Sequence, residues 1–237
     1  MDKRDEANQK LWDEALLKKN FIPIFDYWPY VDRNYSLKKF LNKNKMNKIK
    51  TILEYQGLAA RTCTDLGHQG TNERHMNLGV ITEIGETLDI FKKYLAYNKP
   101  VDVVNLGEEL ADISWYIVNK CANEELSLDD VFEDVLAEVK DLLETKMFSV
   151  PDLAPEIRTE AILVLMLNSY CAPVNTIFSA PIVQLAMLSH IASWFGLDYF
   201  QCLTNNIDKL KVRYPEKFTE EAAQNRDLEA ERKELEK

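Results

Sequence analysis

Apolar residues recur at steps of three or four along much of this chain, which is the spacing of one face of an α-helix. Two successive stripes are Val80, Ile84, Leu88, Phe91 and Leu95, and then Leu106, Leu110, Ile113 and Ile117. Between them, Asn98, Lys99 and Pro100 predict the end of the first helix. Strand-type alternation is scarce, and only 7 glycines and 8 prolines interrupt the pattern. The sequence therefore predicts an all-α protein.

The same reasoning predicts the other elements and the division of the chain. Further helices are expected at 6–19, from Ile49 to about Asp65, from SLDD (127–130) to about Thr145, at 157–170, at 181–195 and from Leu197 to Pro215. The stretch LGHQGTNERH (66–75) is polar and contains glycine, so we expect a loop. The highly charged tail is expected to form an exposed helix. These segments define an N-terminal extension (1–50), a helical domain (51–215) and a charged tail (216–237).

Two acidic steps accompany the apolar stripes. Glu83 and Glu86 lie on the first helix, and Glu109 and Asp112 lie on the second. Residues three apart occupy neighbouring turns of one helix face, so each step presents two carboxylates together. Glu83 and Glu109 each directly precede a stripe residue, and no Lys or Arg follows Glu83 or Glu86 at the fourth position. This matched placement favours a functional site over the competing interpretation, a solvated acidic face.

Four converging carboxylates at a half-buried site repel one another unless a cation offsets their charge. Oxygen ligands suit Mg²⁺ or Mn²⁺. A di-iron site is the alternative in helical bundles, but it generally requires Glu-x-x-His on two helices. The three histidines, His68, His75 and His190, lie outside the acidic steps. The pattern therefore favours a magnesium site.

Composition narrows the class of protein. The chain has 237 residues, of which 46% are hydrophobic and 29% charged, as expected of a soluble globular core. Its net charge of -10 argues against broad nucleic-acid binding, although a bound metal allows a nucleotide substrate. No apolar run has transmembrane length, no secretory signal is recognisable, and the 4 cysteines are dispersed. We expect a cytoplasmic protein that binds neither membranes nor nucleic acid.

The acidic steps resemble the metal-binding pattern of the all-α nucleoside triphosphate pyrophosphohydrolases, which include MazG-like proteins and dimeric dUTPases. The segments NLGVITEIGETLDIFKKYL and NLGEELADISWYIVNKC look like the two central helices of that superfamily. NNIDKLKVRYPEKF looks like the end of the MazG-like domain of many phage proteins. The resemblance covers about residues 52–145 and 196–236. It implies a helical bundle, bound Mg²⁺, hydrolysis of a (d)NTP to (d)NMP and pyrophosphate, and a homo-oligomer, most simply a dimer.

The resemblance also implies roles for individual residues. The implied Mg²⁺ ligands are Glu83, Glu86, Glu109 and Asp112. The implied phosphate contacts are Asn206, Lys209 and Arg213, with Lys93 as a weaker candidate. Either Glu83 or Glu86 also orients or deprotonates the attacking water. Candidate walls of a base pocket are Tyr55, Gln56, Trp115 and Tyr116, for which the hydrophobic core is the competing interpretation.

The chain departs from the family pattern in two places. Thr82 stands where many relatives carry a further Glu, and about ninety residues separate Asp112 from Asn206. One explanation is an internal duplication, in which residues 51–145 keep the acids and residues 156–215 keep the closing motif; the other is an insertion of two helices. Two alternative functions stay open: a catalytically inactive protein that binds a nucleotide or a partner, and a hydrolase of a guanosine polyphosphate.

Overall fold

The structure is a computed structural model, and it describes residues 48–123, 132–148, 153–171 and 177–236. Most of the N-terminal extension, with its predicted helix at 6–19, lies outside these residues, as does the SLDD segment at 127–130. Within the described ranges, all regular secondary structure is helical and no strand is present. The predicted all-α class is confirmed.

The helices are α1 (Ile52–Ala59), α2 (Gln69–Tyr97), α3 (Val103–Asn123), α4 (Phe132–Asp141), α5 (Pro155–Cys171), α6 (Pro181–Trp194), α7 (Tyr199–Arg213), α8 (Glu220–Gln224) and α9 (Leu228–Leu235). A 3₁₀ turn, Ala60–Thr62, follows α1, and another, Ile177–Ser179, precedes α6. A π-helical turn, Leu142–Met147, continues α4. Side-chain oxygens of Thr51 and Asp198 cap the amino ends of α1 and α7, which explains where those two helices begin.

Helix α2 begins inside the stretch that was expected to be a loop. Residues from Gln69 onward are helical, so the loop prediction is wrong for residues 69–75. The reason is that the polar residues there act as caps. The His68 side chain accepts a hydrogen bond from the Gly70 N–H, and Asn72 accepts one from the Leu66 N–H. The predicted end is confirmed, since Asn98 adopts the left-handed conformation (φ 51°) directly after Tyr97.

Helices α2 and α3 form an antiparallel pair joined by residues 98–102, and their apolar stripes meet in the core. All four stripe residues of α3 are fully buried, as are Val80, Ile84 and Phe91 on α2. Leu95 is an exception, because 67% of its surface is exposed. The last turns of α2 are exposed on nearly all sides, so this helix extends beyond the elements that cover it. The stripe prediction is therefore wrong at Leu95.

Helix α3 is central, since it contacts α1, α2, α6 and α7. Helix α5 packs on α2 and α6, and α4 packs on α6, so α5 and α6 belong to the same core rather than to a separate appendage. The internal duplication stays a prediction. None of the helices in the described ranges combines the length and the apolar character needed to cross a bilayer.

The charged tail is more closely attached to the domain than expected. It contains two short helices, and the second, α9, packs along α7. Glu231 on α9 is only 3% exposed, and it accepts hydrogen bonds from Arg213 and Arg226. The prediction of an exposed helix is therefore wrong for the side of α9 that carries Glu231.

Candidate metal centre

The antiparallel pair α2–α3 brings three of the four predicted acids together. Glu83, Glu86 and Glu109 each contribute a carboxylate oxygen to a group in which all oxygens lie within 4.8 Å of one another. Glu109 is 6% exposed, Glu83 is half-buried and Glu86 is exposed, so the cluster opens to solvent beside Glu86. Three converging carboxylate oxygens form a donor set that fits a hard divalent cation such as Mg²⁺ or Mn²⁺.

The electrostatics distinguish this cluster from ordinary surface acids. Burial, followed by the charges of Asp112 and Glu86, raises the pKa of Glu109 to about 9. Burial and the same two neighbours raise the pKa of Glu83 to about 7, although a hydrogen bond with Glu109 opposes this rise. Both carboxyls therefore retain protons at a pH where solvated glutamates are ionised. A divalent cation would take the place of these protons, because metal ligands bind in their deprotonated form.

Asp112 lies next to the cluster but has other partners. Its Oδ2 accepts a hydrogen bond from Lys209 Nζ at 2.6 Å, and its Oδ1 accepts one from Asn206 Nδ2 at 2.5 Å. Both oxygens are thus engaged within the protein. The group that could hold a metal comprises Glu83, Glu86 and Glu109, with Asp112 as their neighbour, and the predicted role of Asp112 as a ligand stays a prediction.

Lys209 and Asn206 are brought to the acids, as the resemblance implied, but they are buried behind Asp112. Lys209 is 1% exposed and its Nζ also donates to Glu108 Oε1 at 3.1 Å. Asn206 is fully buried, and its Oδ1 lies 3.0 Å from the hydroxyl of Tyr55. The expected phosphate contacts are therefore part of an internal network in this structure.

The other two predicted phosphate contacts lie apart from this network. Arg213 donates from Nε and Nη2 to the two carboxylate oxygens of Glu231, so its planar fork is engaged with the tail. Lys93 is exposed and pairs with Asp89 at 2.7 Å. The hydrogen bond to Asp89 and the charge of Asp89, with a smaller contribution from Glu109, raise the pKa of Lys93. Lys93 is thus within electrostatic range of the cluster, whereas Arg213 is bound to α9.

All four candidate walls of a base pocket are buried in the core or pack against it. Tyr55 and Gln56 are buried, and Gln56 Nε2 donates to the carbonyl oxygen of Val118. Trp115 is partly buried and donates to Thr62 Oγ1. Tyr116 is different, because burial and then the charge of Glu83 raise the pKa of its phenol to about 12. It therefore borders the acid cluster as a neutral hydrogen-bond donor.

Two residues of this region, Glu108 and Gly79, were not predicted from the sequence. Glu108 is a partner of Lys209, and its position four residues before Asp112 on the same helix face was a usable signal. Gly79 lies one turn before Glu83 on α2, and the ring of Tyr116 occupies the space that a Cβ at Gly79 would need. Nothing in the local sequence around Gly79 indicates that contact, because the two residues lie on different helices.

Comparison with protein-family models, with curated proteins and with solved structures found no match for this chain. The family resemblance therefore depends on the motif residues themselves.

Proposed function

We propose that this protein is a Mg²⁺-dependent nucleoside triphosphate pyrophosphohydrolase, which converts a (d)NTP and water into a (d)NMP and pyrophosphate. The cluster of Glu83, Glu86 and Glu109 carries the proposal, because its three carboxylate oxygens lie within 4.8 Å of one another beside solvent. The resemblance of the two acidic steps to the MazG-like pattern supports the choice of a triphosphate as the substrate.

The three glutamates would hold Mg²⁺ between α2 and α3. When bound, this ion supplies positive charge for the phosphate oxygens and makes a water molecule more acidic. Water attacks the α-phosphorus, the bond from that phosphorus to the oxygen bridging to the β-phosphate breaks, and pyrophosphate leaves with the bonding electrons. We assign proton acceptance from the water to Glu86, because its carboxylate is the exposed member of the cluster.

Neighbouring residues supply the other interactions that this reaction needs. Tyr116 can donate a hydrogen bond to an anionic substrate, since its raised pKa keeps the phenol protonated at neutral pH. Lys93 is exposed and close enough to sense the charge of Glu109, so it is retained as a phosphate contact. Arg213 is left out of this set because Glu231 engages its fork.

A second candidate function is a MazG-like protein that binds a metal–nucleotide complex without cleaving it. The observation that favours it is the pairing of Asp112 with Lys209 and Asn206, which leaves three acids for the metal rather than four. This candidate belongs to a different class of protein, and it predicts nucleotide binding without release of pyrophosphate.

The deciding experiment measures pyrophosphate release with Mg²⁺ across the NTPs, the dNTPs and a guanosine polyphosphate. The full chain is compared with Glu86→Gln and with Glu138→Gln, a matched change on the exposed face of α4. We expect release from at least one nucleotide, a loss of about 100-fold or more in Glu86→Gln, and no change in the control.

A parallel measurement of nucleotide binding with Mg²⁺ separates the two candidates. Nucleotide binding with no release from any compound would favour the inactive binding protein. Release that survives both Glu83→Gln and Glu86→Gln would show that the cluster is not the active site. Release confined to the guanosine polyphosphate would keep the site and change the substrate.

A further inference from the structure

A buried lysine divides the acidic residues of the metal centre into two groups. Five carboxylates lie together on α2 and α3: Glu83, Glu86, Glu108, Glu109 and Asp112. The ammonium of Lys209, on α7, lies 2.6 Å from Asp112 Oδ2 and 3.1 Å from Glu108 Oε1. Two carboxylates are thus paired with an internal cation, and the other three form the solvent-facing cluster.

The contact between Asp112 and Lys209 belongs to a longer chain of hydrogen bonds. Asn206, one turn before Lys209, donates to Asp112 Oδ1 at 2.5 Å, and the Tyr55 hydroxyl lies 3.0 Å from Asn206 Oδ1. Lys209, Asn206 and Tyr55 are all buried. If Asp112 turned toward the cluster, it would leave a buried ammonium with one partner fewer, which is strongly unfavourable. Asp112 is therefore fixed in its orientation.

We infer that the Lys209 ammonium stands in place of a second divalent cation, so that the chain binds a single Mg²⁺ or Mn²⁺ through Glu83, Glu86 and Glu109. This inference rests on the metal centre of the proposed function. One divalent cation with three carboxylates leaves one negative charge, and one ammonium with two carboxylates leaves the same. A second divalent cation at Asp112 and Glu108 would meet the ammonium directly and be repelled by it.

The test counts bound Mn²⁺ on the full chain, with free Mn²⁺ measured by electron paramagnetic resonance during titration. Wild type is expected to bind one Mn²⁺ per chain. Lys209→Met keeps most of the buried side-chain volume but removes the charge, and it is expected to bind two at saturation. Circular dichroism establishes that the variant is folded. Two Mn²⁺ per wild-type chain, or one per chain in a folded Lys209→Met variant, would overturn the inference.

A second pair of variants keeps the test decisive if Lys209→Met does not fold. Glu109→Gln removes a ligand charge, and we expect it to weaken Mn²⁺ binding by about 100-fold. Asp112→Asn leaves Lys209 paired with Glu108, and we expect it to bind one Mn²⁺ with a loss of only a few-fold. An equal loss in both variants would make Asp112 a ligand and contradict the inference.

The outcomes also separate this inference from the proposed reaction. One Mn²⁺ per chain without pyrophosphate release supports the inference and sinks the hydrolase. Release of pyrophosphate by a chain that binds two Mn²⁺ would support the hydrolase and overturn the inference. A wild-type chain that binds no Mn²⁺ overturns the metal centre on which both depend.

Discussion

The three acids of the cluster have the same chemistry but different surroundings, and their surroundings decide what each can do. Glu109 is buried, Glu83 is half-buried and Glu86 is exposed. Burial raises the pKa of the first two, so a bound cation would displace their protons, whereas the exposed carboxylate is available to water. Residues of one type thus differ in protonation because they differ in depth of burial.

The first prediction concerns pH. Glutamates in the unfolded chain have a pKa of about 4.3, while the folded pKa values are about 7 for Glu83 and about 9 for Glu109. Because these carboxyls bind protons more tightly in the folded chain, their protonation stabilises the fold fully below about pH 4.3. That contribution is lost as the pH rises through the folded pKa values of about 7 and about 9. Without divalent cations, the melting temperature should therefore fall between pH 6 and 9.5.

Added Mg²⁺ should oppose this fall, because at the proposed metal centre it would bind the ionised carboxylates. The Mg²⁺-induced rise in melting temperature is expected to grow between pH 6 and 9, as measured by scanning fluorimetry. The double variant Glu83→Gln, Glu109→Gln serves as the control and should show neither effect. An equal Mg²⁺-induced rise at pH 6 and pH 9 in wild type would contradict the prediction.

The second prediction concerns the contact between α2 and Tyr116. A Cβ at Gly79 would lie 2.2 Å from the Tyr116 ring, whereas a Cβ at Gly85 meets nothing within 4 Å. We expect Gly79→Ala to reduce the free energy of unfolding by about 1–3 kcal/mol through overpacking. Gly85→Ala should raise it by about 0.5–1 kcal/mol, because alanine restricts the unfolded chain and favours helix. Urea unfolding without Mg²⁺ measures both, and equal stability of the two variants would disprove the contact.

At the scale of elements, helix periodicity carried most of the predictable information. The apolar stripes located α2 and α3 and their matched acidic faces, because core burial repeats with the helix period. Periodicity could not predict that His68 caps α2 and that this helix extends into the expected loop, since a cap depends on local hydrogen bonding. Nor could it predict that Arg213 binds Glu231, because that partner lies on a helix expected to be solvated.

The third prediction concerns the attachment of α9 to α7. Burial raises the pKa of Glu231, but the hydrogen bonds from Arg213 and Arg226 outweigh this effect and lower the pKa to about 2. Glu231→Ala would leave Arg213 without its buried partner, and we expect the free energy of unfolding to fall by about 2–4 kcal/mol. Glu229→Ala removes an exposed pair with Lys233 on the same helix and should cost less than about 0.5 kcal/mol.

The pH dependence of the Glu231 variant has a defined sign. A lowered pKa means that the carboxylate stabilises the fold above the unfolded value of about 4.3 and loses this contribution as the pH falls toward 2. The stability difference between wild type and Glu231→Ala should therefore shrink below pH 4 in denaturant titrations. A difference that is constant from pH 7 to pH 3 would show that packing, rather than charge, attaches α9.

At the scale of the whole molecule, one hydrophobic core includes residues from Ile49 to Tyr214, and Phe218, Ala222 and Ala223 pack against it. The helical class and the approximate extent of this core could be predicted, because both follow from the distribution of apolar residues. The inward orientation of Lys209 could not, since a lysine on a helix face gives no sign of whether it meets solvent or a buried carboxylate. At the candidate site, the convergence of the acidic residues could therefore be predicted, whereas the orientation of the cationic residues could be predicted only in part.

The fourth prediction concerns assembly. The family resemblance implies a dimer, and α2 exposes more than half of the surface of Leu78, Leu95 and Tyr97. Large exposed apolar side chains are commonly covered on association. Light scattering coupled to gel filtration should give a mass of twice the 27.5 kDa of the chain. A mass equal to that of one chain would contradict the dimer.

The hydrogen-bonded chain from Tyr55 through Asn206 and Asp112 to Lys209 also bears on how the protein reaches its native state. Its bonds join residues 151, 94 and 97 positions apart, so they form only after α7, in the last third of the chain, has been synthesised. Until α7 docks, Asp112 and Glu108 have no internal counter-charge and remain in water. Closing loops of this length slows folding. The pairing of Asp112 and Glu108 with Lys209 is therefore a late event in folding, completed when the carboxyl-terminal part of the domain joins the part made first.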